Sequence, residues 1–409
     1  MMETDPIIPL RQIKPHSTVL QIDHLHRMVI GILVEKSTLN TVVVPDGVEK
    51  IGDEVFAECD KLTSVELPDT LKTIGGYPFK SCHALRSIEL PKSLTSIQAG
   101  LFFECMSLTS VTLPETVKEI GVNTFCHCAD LTSVNILGPV TRIRYRSFRG
   151  CIGLTSLKLP DTLTSISQEA FLGCSSLTSI ELPDSITNID TGAFAGCYSL
   201  TFISLPKNLP VLKTGLLEGC CALTSVKFPE TLTTVDFRAM CNCSAMTSLT
   251  LPDSLTDVQE SAFDNCSGLT SLTLPDNVTS LGKSAFANCR GLSSITLPNK
   301  LTIVGHSAFK NCSLAYFSVP YSVSDGDIKA ALGGRTNGVK IVIRSPLPAA
   351  FIVWVVGNSR NRRNWQLTTL RNSMNILRLI MTFAWERRKP NWGKVKATVD
   401  PFSSFQRYW

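Results

Sequence analysis

The chain has 409 residues, and much that usually signals chemistry is missing from it. Its best apolar run, Ala349–Val356, is eight residues long, against the roughly 18–20 that a membrane-spanning helix needs. Met1 to Lys14 carries no apolar core ahead of a small-residue cleavage site, and Met28–Val34 follows Arg27 too late and too briefly to serve as a secretory leader. An intracellular location is therefore expected, with the cell surface as the alternative. No G-x-x-x-x-G-K-[ST] run and no G-x-G-x-x-G after a strand occurs, which excludes the two common phosphate-cradling loops. Histidine is sparse. His16, His24, His26, His83, His127 and His306 are scattered, and none stands beside a recognisable nucleophile. Tryptophan is absent from the body altogether: Trp354, Trp365, Trp385, Trp392 and Trp409 all lie near the end. These absences point away from an enzyme and from a bound cofactor.

Charge is divided between two regions. Residues 345–409 carry eleven Lys/Arg and two Asp/Glu, while residues 1–344 carry 28 and 32. A mildly acidic body with a basic tail implies two parts with different tasks.

What the body does have is a ruler. Cys59, Cys82, Cys105, Cys128, Cys151, Cys174, Cys197, Cys220, Cys243, Cys266, Cys289 and Cys312 are spaced 23 residues apart. Such a period marks a chain that stacks one structural unit on the next. Within the unit starting at Cys59, Leu62, Val65 and Leu67 form an L-x-x-V-x-L spacing in which Ser64, Val65, Glu66 and Leu67 alternate polar and apolar, as in a short strand with one buried face. Pro68 has no N–H for a ladder and ends the strand. Asp69 and Thr70 suit a turn. Leu71 and Ile74 return to the core, and Phe79 closes the coil. Proline keeps this grid from Pro45 to Pro298 except at Leu137. The core aromatic recurs at Phe56, Phe79, Phe102, Phe125, Phe148, Phe171, Phe194, Phe263, Phe286 and Phe309, with Leu217 and Met240 in the remaining slots, so the position asks for bulk. At about 4.8 Å per stacked strand, twelve coils span roughly 58 Å.

The recurring C-x-x-L-T-S-[VIL]-x-L-P-[DE]-x-[LIV], as at Cys151–Leu163, Cys174–Ile186 and Cys266–Val278, resembles the BspA-type leucine-rich repeat family from about Leu39 to Pro320. The resemblance implies a leucine-rich-repeat solenoid with a parallel sheet on its concave side, and recognition or adhesion rather than catalysis. The expected fold is therefore a repeat solenoid of β-rich coils. It has a parallel sheet on one face, short strand or irregular return segments, and a C-terminal helical tail. Residues 1–38 form an N-terminal segment, 39–344 the solenoid and 345–409 the tail. Thr18–Ile22 and Met28–Val34 read as two strands able to form a capping hairpin over the first coil. Val339–Ile343 reads as a final strand, after turns at Gly333-Gly334 and Asn337-Gly338.

Stacked cysteines would lie about 5 Å apart at Cα, inside the disulfide window. Their side chains run parallel, however, which disfavours the required twist. Cysteine is also commonly buried, so reduced core thiols are expected, and these suit a reducing compartment. Off the grid lie Cys126, Cys221 and Cys241. Zinc needs four convergent ligands, and Cys128 and Cys243 stand five coils apart, about 24 Å. No metal site is expected. The Pro-Asp and Pro-Glu pairs are explained by turn chemistry. The sequons at Asn242, Asn265, Asn277 and Asn311 matter only in a secreted chain.

The exposed strand face is the candidate ligand surface. Its outward positions are a serine column, Ser64, Ser87, Ser110, Ser133, Ser156, Ser179 and Ser225, interrupted by Phe202. Beside it runs a varied column, Glu66, Glu89, Thr112, Asn135, Lys158, Glu181, Ser204 and Lys227. Phe202 is a candidate hot spot. The competing explanation is that Ser and Thr are simply good exposed strand residues. In the tail, Leu370, Met374, Leu377, Met381 and Ala384 recur at helical spacing over Asn364–Arg388. The attachment candidates are Arg360, Arg362, Arg363, Trp365, Arg371, Arg378, Trp385, Arg387, Arg388 and Lys389. Such a basic amphipathic helix suits a membrane surface, an acidic partner or, with less support, nucleic acid; it could equally pack as a cap on the last coil. The partners expected are a protein first, then a glycan-bearing surface, then a membrane surface reached through the tail.

Overall fold

A computed structural model describes residues 38–344 throughout, and beyond them the backbone of Val19–Gln21, Val29–Ile30, Ile352–Gly357 and Trp365–Thr368. The fold is a parallel β-solenoid, one coil per 23-residue unit. Most coils contribute a strand to each of two faces. The face ladder contains Thr41–Val43, Ser64–Glu66, Ser87–Ile88, Ser110–Leu113, Ser133–Ile136, Phe202–Ser204, Ser225–Lys227, Ser248–Thr250, Ser271–Thr273 and Ser294–Thr296. Neighbours pair in parallel with a 23-residue offset, as in Val111↔Val134 and Leu249↔Leu272. The return ladder is built from two-residue strands, such as Glu119–Ile120, Arg142–Ile143, Ser165–Ile166 and Asn188–Ile189. The return segments are thus regular enough to pair in short parallel sheets of three to five strands.

Proline separates the two ladders through a tight turn. The carbonyl of Pro91 accepts from Leu94 N–H at 3.1 Å, and that of Pro160 from Leu163 N–H at 3.0 Å. The residue three beyond each proline is buried, as Leu94 and Leu163 are, so the turn also delivers a core side chain.

The third side of each coil is a run of successive turns, laced to the next coil by its main chain. Glu54, Phe56 and Glu58 donate N–H to the carbonyls of Gly76, Pro78 and Lys80 at 2.9, 2.9 and 2.6 Å. This lacing bends two positions per coil into positive φ. One column runs Glu54, Tyr77, Gly100, Asn123, Arg146 and onward to Ser307; the other runs Glu58, Ser81, Glu104, His127, Gly150 and onward to Asn311, each just before a grid cysteine. A non-glycine residue there costs about 1–2 kcal/mol, with Gly and Asn the tolerant types. The second column obliges, with Gly150, Gly173, Gly196 and Gly219 followed by Asn242, Asn265, Asn288 and Asn311. Side-chain amides add rungs: Asn265 Nδ2 donates to Asn242 Oδ1, and Asn311 Nδ2 to Asn288 Oδ1, both at 2.9 Å.

The core is columnar. Phe125, Phe148, Phe171 and Phe194 stack with centroids 5.1–5.2 Å apart, nearly parallel for the last three. The cysteines explain themselves by hydrogen bonding. Cys105 Sγ donates to the Phe79 carbonyl of the preceding coil at 3.0 Å, Cys128 to Phe102 at 3.0 Å and Cys174 to Phe148 at 3.1 Å. The same carbonyl of Phe79 also accepts Cys82 N–H at 3.2 Å, so both its lone pairs are used. Because the acceptor is main chain, Leu217 and Met240 serve equally for Cys243 and Cys266. Among the described residues no cysteine is in a disulfide.

Both ends differ from the sequence expectation. Val19–Gln21 and Val29–Ile30 do not pair with each other as a hairpin. Each pairs in parallel, the first with Thr41–Val43 and the second with Lys50–Ile51, adding a further coil. At the far end a helix the sequence reading missed, Asp325–Ala331, opens at Ser324, whose hydroxyl accepts from Asp327 N–H at 3.1 Å. Its terminal carbonyls, Ala330 and Ala331, accept from Ser307 and Phe309 N–H at 2.7 and 2.9 Å, satisfying donors that elsewhere wait for the next coil. Lys340–Arg344 is the final parallel strand, and Ile352–Gly357 and Trp365–Thr368 continue its sheet in antiparallel register. Trp365–Thr368 is therefore strand where the helical pattern of Asn364–Arg388 was expected to begin; the rest of that expected helix lies outside the described residues.

Candidate binding face

Strand geometry alone exposes the candidate columns. In Ser64–Glu66 the outer residues are exposed and Val65 is buried, and the same alternation holds at Ser248–Thr250, Ser271–Thr273 and Ser294–Thr296. Ser64, Glu66, Ser87, Glu89, Ser110, Thr112, Ser133 and Asn135 are all exposed, as are Ser156, Lys158, Ser179, Glu181, Phe202, Ser225 and Lys227; Ser204 is half-buried. The coils carrying Ser156 to Lys158 and Ser179 to Glu181 keep these exposures without forming regular strands. Of the tail candidates, Trp365 lies at the start of an edge strand and the others fall outside the described residues.

The structure separates serine from threonine on this surface. One position earlier in each coil, Thr109, Thr132, Thr178 and Thr224 donate their hydroxyls to the preceding coil's Arg86, Thr109, Thr155 and Thr201 carbonyls at 3.0–3.2 Å. Those hydroxyls are consumed in holding coils together. Among the described residues the serine column makes no such bond, so its hydroxyls remain available as donors and acceptors. Phe202 is 48% exposed and pairs in register with Ser225, while Ser204 pairs with Lys227. Tyr198, four residues earlier, is 57% exposed. The sequence reading passed over this second aromatic, although it occupies the slot just after a grid cysteine that Met106 and Ile152 also fill with exposed apolar groups.

The thiols offer little chemistry. Desolvation pushes Cys105, Cys220 and Cys266 up to about 12, and Cys126 and Cys241 up to about 11. A thiol held protonated is a poor nucleophile and a poor metal ligand. Among the described residues no cluster of three metal-ligating side chains occurs, and no helix is long and apolar enough to cross a membrane.

A model of the BspA type leucine rich repeat region matches residues 33–152, 118–246 and 212–330, in six copies. The chain belongs to the BspA-type leucine-rich repeat family. No curated protein matches it. Among solved structures, a leucine-rich repeat protein from Bacteroides ovatus shares 27% identity over 75% of this chain and 84% of that one, with a TM-score of 0.63. A leucine rich cell surface protein from Faecalibacterium prausnitzii shares 26% identity over 76% of this chain and 80% of that one, with a TM-score of 0.44. BspA-type repeat proteins are surface or binding proteins, and leucine-rich-repeat scaffolds are generally non-enzymatic. The 23-residue coil and the parallel ladders of this chain are those of the family.

Proposed function

We propose that this BspA-type chain is a non-enzymatic protein-binding scaffold that recognises its partner across the face ladder, around Phe202. The observation that carries this reading is the open serine column: a row of uncommitted hydroxyls flanks an aromatic ring left 48% exposed. Large exposed aromatics beside satisfiable polar groups are the usual composition of a binding hot spot. Glu66 and Glu89 towards the start of the face, and Lys158, Glu181 and Lys227 further along, add exposed charges of both signs that a partner can read.

The test is proximity labelling in the native cell with wild-type chain, Phe202→Ser, and Phe237→Ser as a control, since Phe237 is 44% exposed but lies beyond the return ladder. The face reading expects Phe202→Ser alone to lose the dominant labelled protein. Equal labelling by all three would end it.

A second reading is favoured by the charge of residues 345–409, eleven basic residues against two acidic. That tail attaches an intracellular scaffold to an anionic membrane surface, whereas an exported chain would display the same face as an adhesin. The full chain and a chain ending at Arg344, both tagged at the N-terminus, distinguish these. Loss of membrane localisation on truncation supports attachment; protease-accessible protein on intact cells supports display.

A further inference from the structure

One coil concentrates positive charge on the return ladder. Arg142, Arg144, Arg146 and Arg149 fall within eight residues of one another. The flanking coils answer with two carboxylates. Glu169 Oε2 takes Arg146 Nε at 2.7 Å and Arg149 Nη1 at 3.2 Å. Glu119 takes Arg144 Nε at 3.1 Å and stands 3.8 Å from Arg142 Nη1. Cations outnumber anions here, although residues 1–344 as a whole carry more acid than base.

Arg142 and Arg144 flank Ile143, which is fully buried, so both project outward, with side chains 56% and 46% exposed. In the ladder Arg142 stands opposite Ser165, and the same 23-residue step carries Arg144 to Ser167. Over these rows opens a hollow of about 470 Å³, lined by both arginines, both serines, Tyr145 and Thr187. Each guanidinium has five N–H donors, and a single contact with Glu119 engages one. Glu119 is set in register opposite Arg142, so it holds the forks in place without exhausting them. Among the described residues the hydroxyls of Ser165, Ser167 and Thr187 donate to no protein group.

We propose that this hollow binds a tetrahedral oxyanion, the sulfate or phosphate group of an acidic ligand. Such a group has enough acceptor oxygens to engage two guanidinium forks and adjacent hydroxyls together, and arginine matches its geometry in bidentate fashion. The site stands on the return ladder and does not depend on the face.

The test is titration of the intact chain with sodium sulfate and, separately, sodium phosphate, followed by NMR shifts at ionic strength held constant with chloride. Saturable shifts are expected with Kd on the order of millimolar, as befits charge-assisted bonds open to solvent. Arg142→Gln/Arg144→Gln should weaken binding at least tenfold, and Arg290→Gln, at an exposed arginine elsewhere, should leave it unchanged. Melting curves check that the double variant folds; if it does not, Arg144→Gln alone should weaken binding severalfold. Affinity for phosphate that rises from pH 6 to pH 8, and exceeds that for sulfate, marks a phosphate group; pH-independent binding that favours sulfate marks a sulfate ester. Absence of saturation with either anion, or unchanged binding by the arginine variants, overturns the proposal.

Discussion

Raising the pH should dismantle the solenoid through its cysteines. Cys105, Cys220 and Cys266 are 0% exposed, and desolvation raises their pKa from about 9 to about 12. Ionisation would also reverse the sense of each contact, because a thiolate cannot donate to the carbonyl of Phe79, Phe194 or Met240 that the thiol now serves. The unfolded chain releases these protons near pH 9 and the folded chain only near 12. Their stabilising contribution is therefore complete below pH 9 and is lost as pH climbs from 9 to 12. Within that window each thiol costs the folded state about a factor of ten in its equilibrium per pH unit. Three together cost on the order of 4 kcal/mol per pH unit, against about 5–15 kcal/mol for a typical folded chain. The assay is urea unfolding followed by far-UV circular dichroism at pH 8, 9, 10 and 11, for wild type and for Cys105→Ala, Cys220→Ala and Cys266→Ala singly. Each variant should be less stable at pH 8, by about 1–2 kcal/mol, yet lose stability more gently above pH 9. Every other ionisation is common to all four chains and cancels in the difference. Identical alkaline slopes in wild type and variants would refute the reasoning.

Phe171, flanked by rings at 5.1 and 5.2 Å, should cost about 3–5 kcal/mol when changed to Ala, read as a lowered urea midpoint. At Gly121 a Cβ would stand 2.6 Å from the Ile97 carbonyl oxygen and 2.7 Å from that of Gln98, so Gly121→Ala should cost about 1–3 kcal/mol through main-chain displacement. Gly173 has open space but a φ of +74°, so Gly173→Ala should cost about 1–2 kcal/mol and Gly173→Asn clearly less; equal costs would mean that crowding, not backbone conformation, selects its glycine. Iodoacetamide on the native chain at pH 8 should modify exposed Cys221 first and half-buried Cys312 more slowly, the remaining described cysteines only after denaturation, as read by mass spectrometry of digests.

The coil was legible because its period is written in three residue types that cannot substitute freely. Proline stops a strand, phenylalanine fills the interior, and cysteine alone combines small apolar bulk with a weak donor for a buried carbonyl. The exposed columns of the face followed from period two. The positive-φ columns were missed, although Gly-Cys four times and then Asn-Cys four times announces them. Alternation templates look for side-chain burial, and these residues are chosen for backbone shape. The helix at Asp325–Ala331 was missed for another reason. It arises where the repeat register slips, and Ser324 as its cap is a signal only once the repeat is no longer assumed to continue. The arginine hollow needs residues 142, 144, 165 and 167 in one place, which requires the register of the return ladder and not merely its existence.

The helix at Asp325–Ala331 closes one side of the last full coil, but nothing within the stack fixes how many coils precede it. From Cys82 to Cys312 each grid thiol reaches a main-chain carbonyl 26 residues back, and the turn segments donate forward to their successors. Removing residues 174–196 as a block would join Gly173 to Cys197, the same Gly-Cys junction the chain already uses, and would offer Cys197 the carbonyl of Phe148 in place of that of Phe171. No donor would be orphaned and no reading frame of the core disturbed. Length in this architecture is a modular variable that changes in whole coils of 23 residues. Selection can therefore extend or shorten the face in whole steps without redesigning the scaffold beneath it.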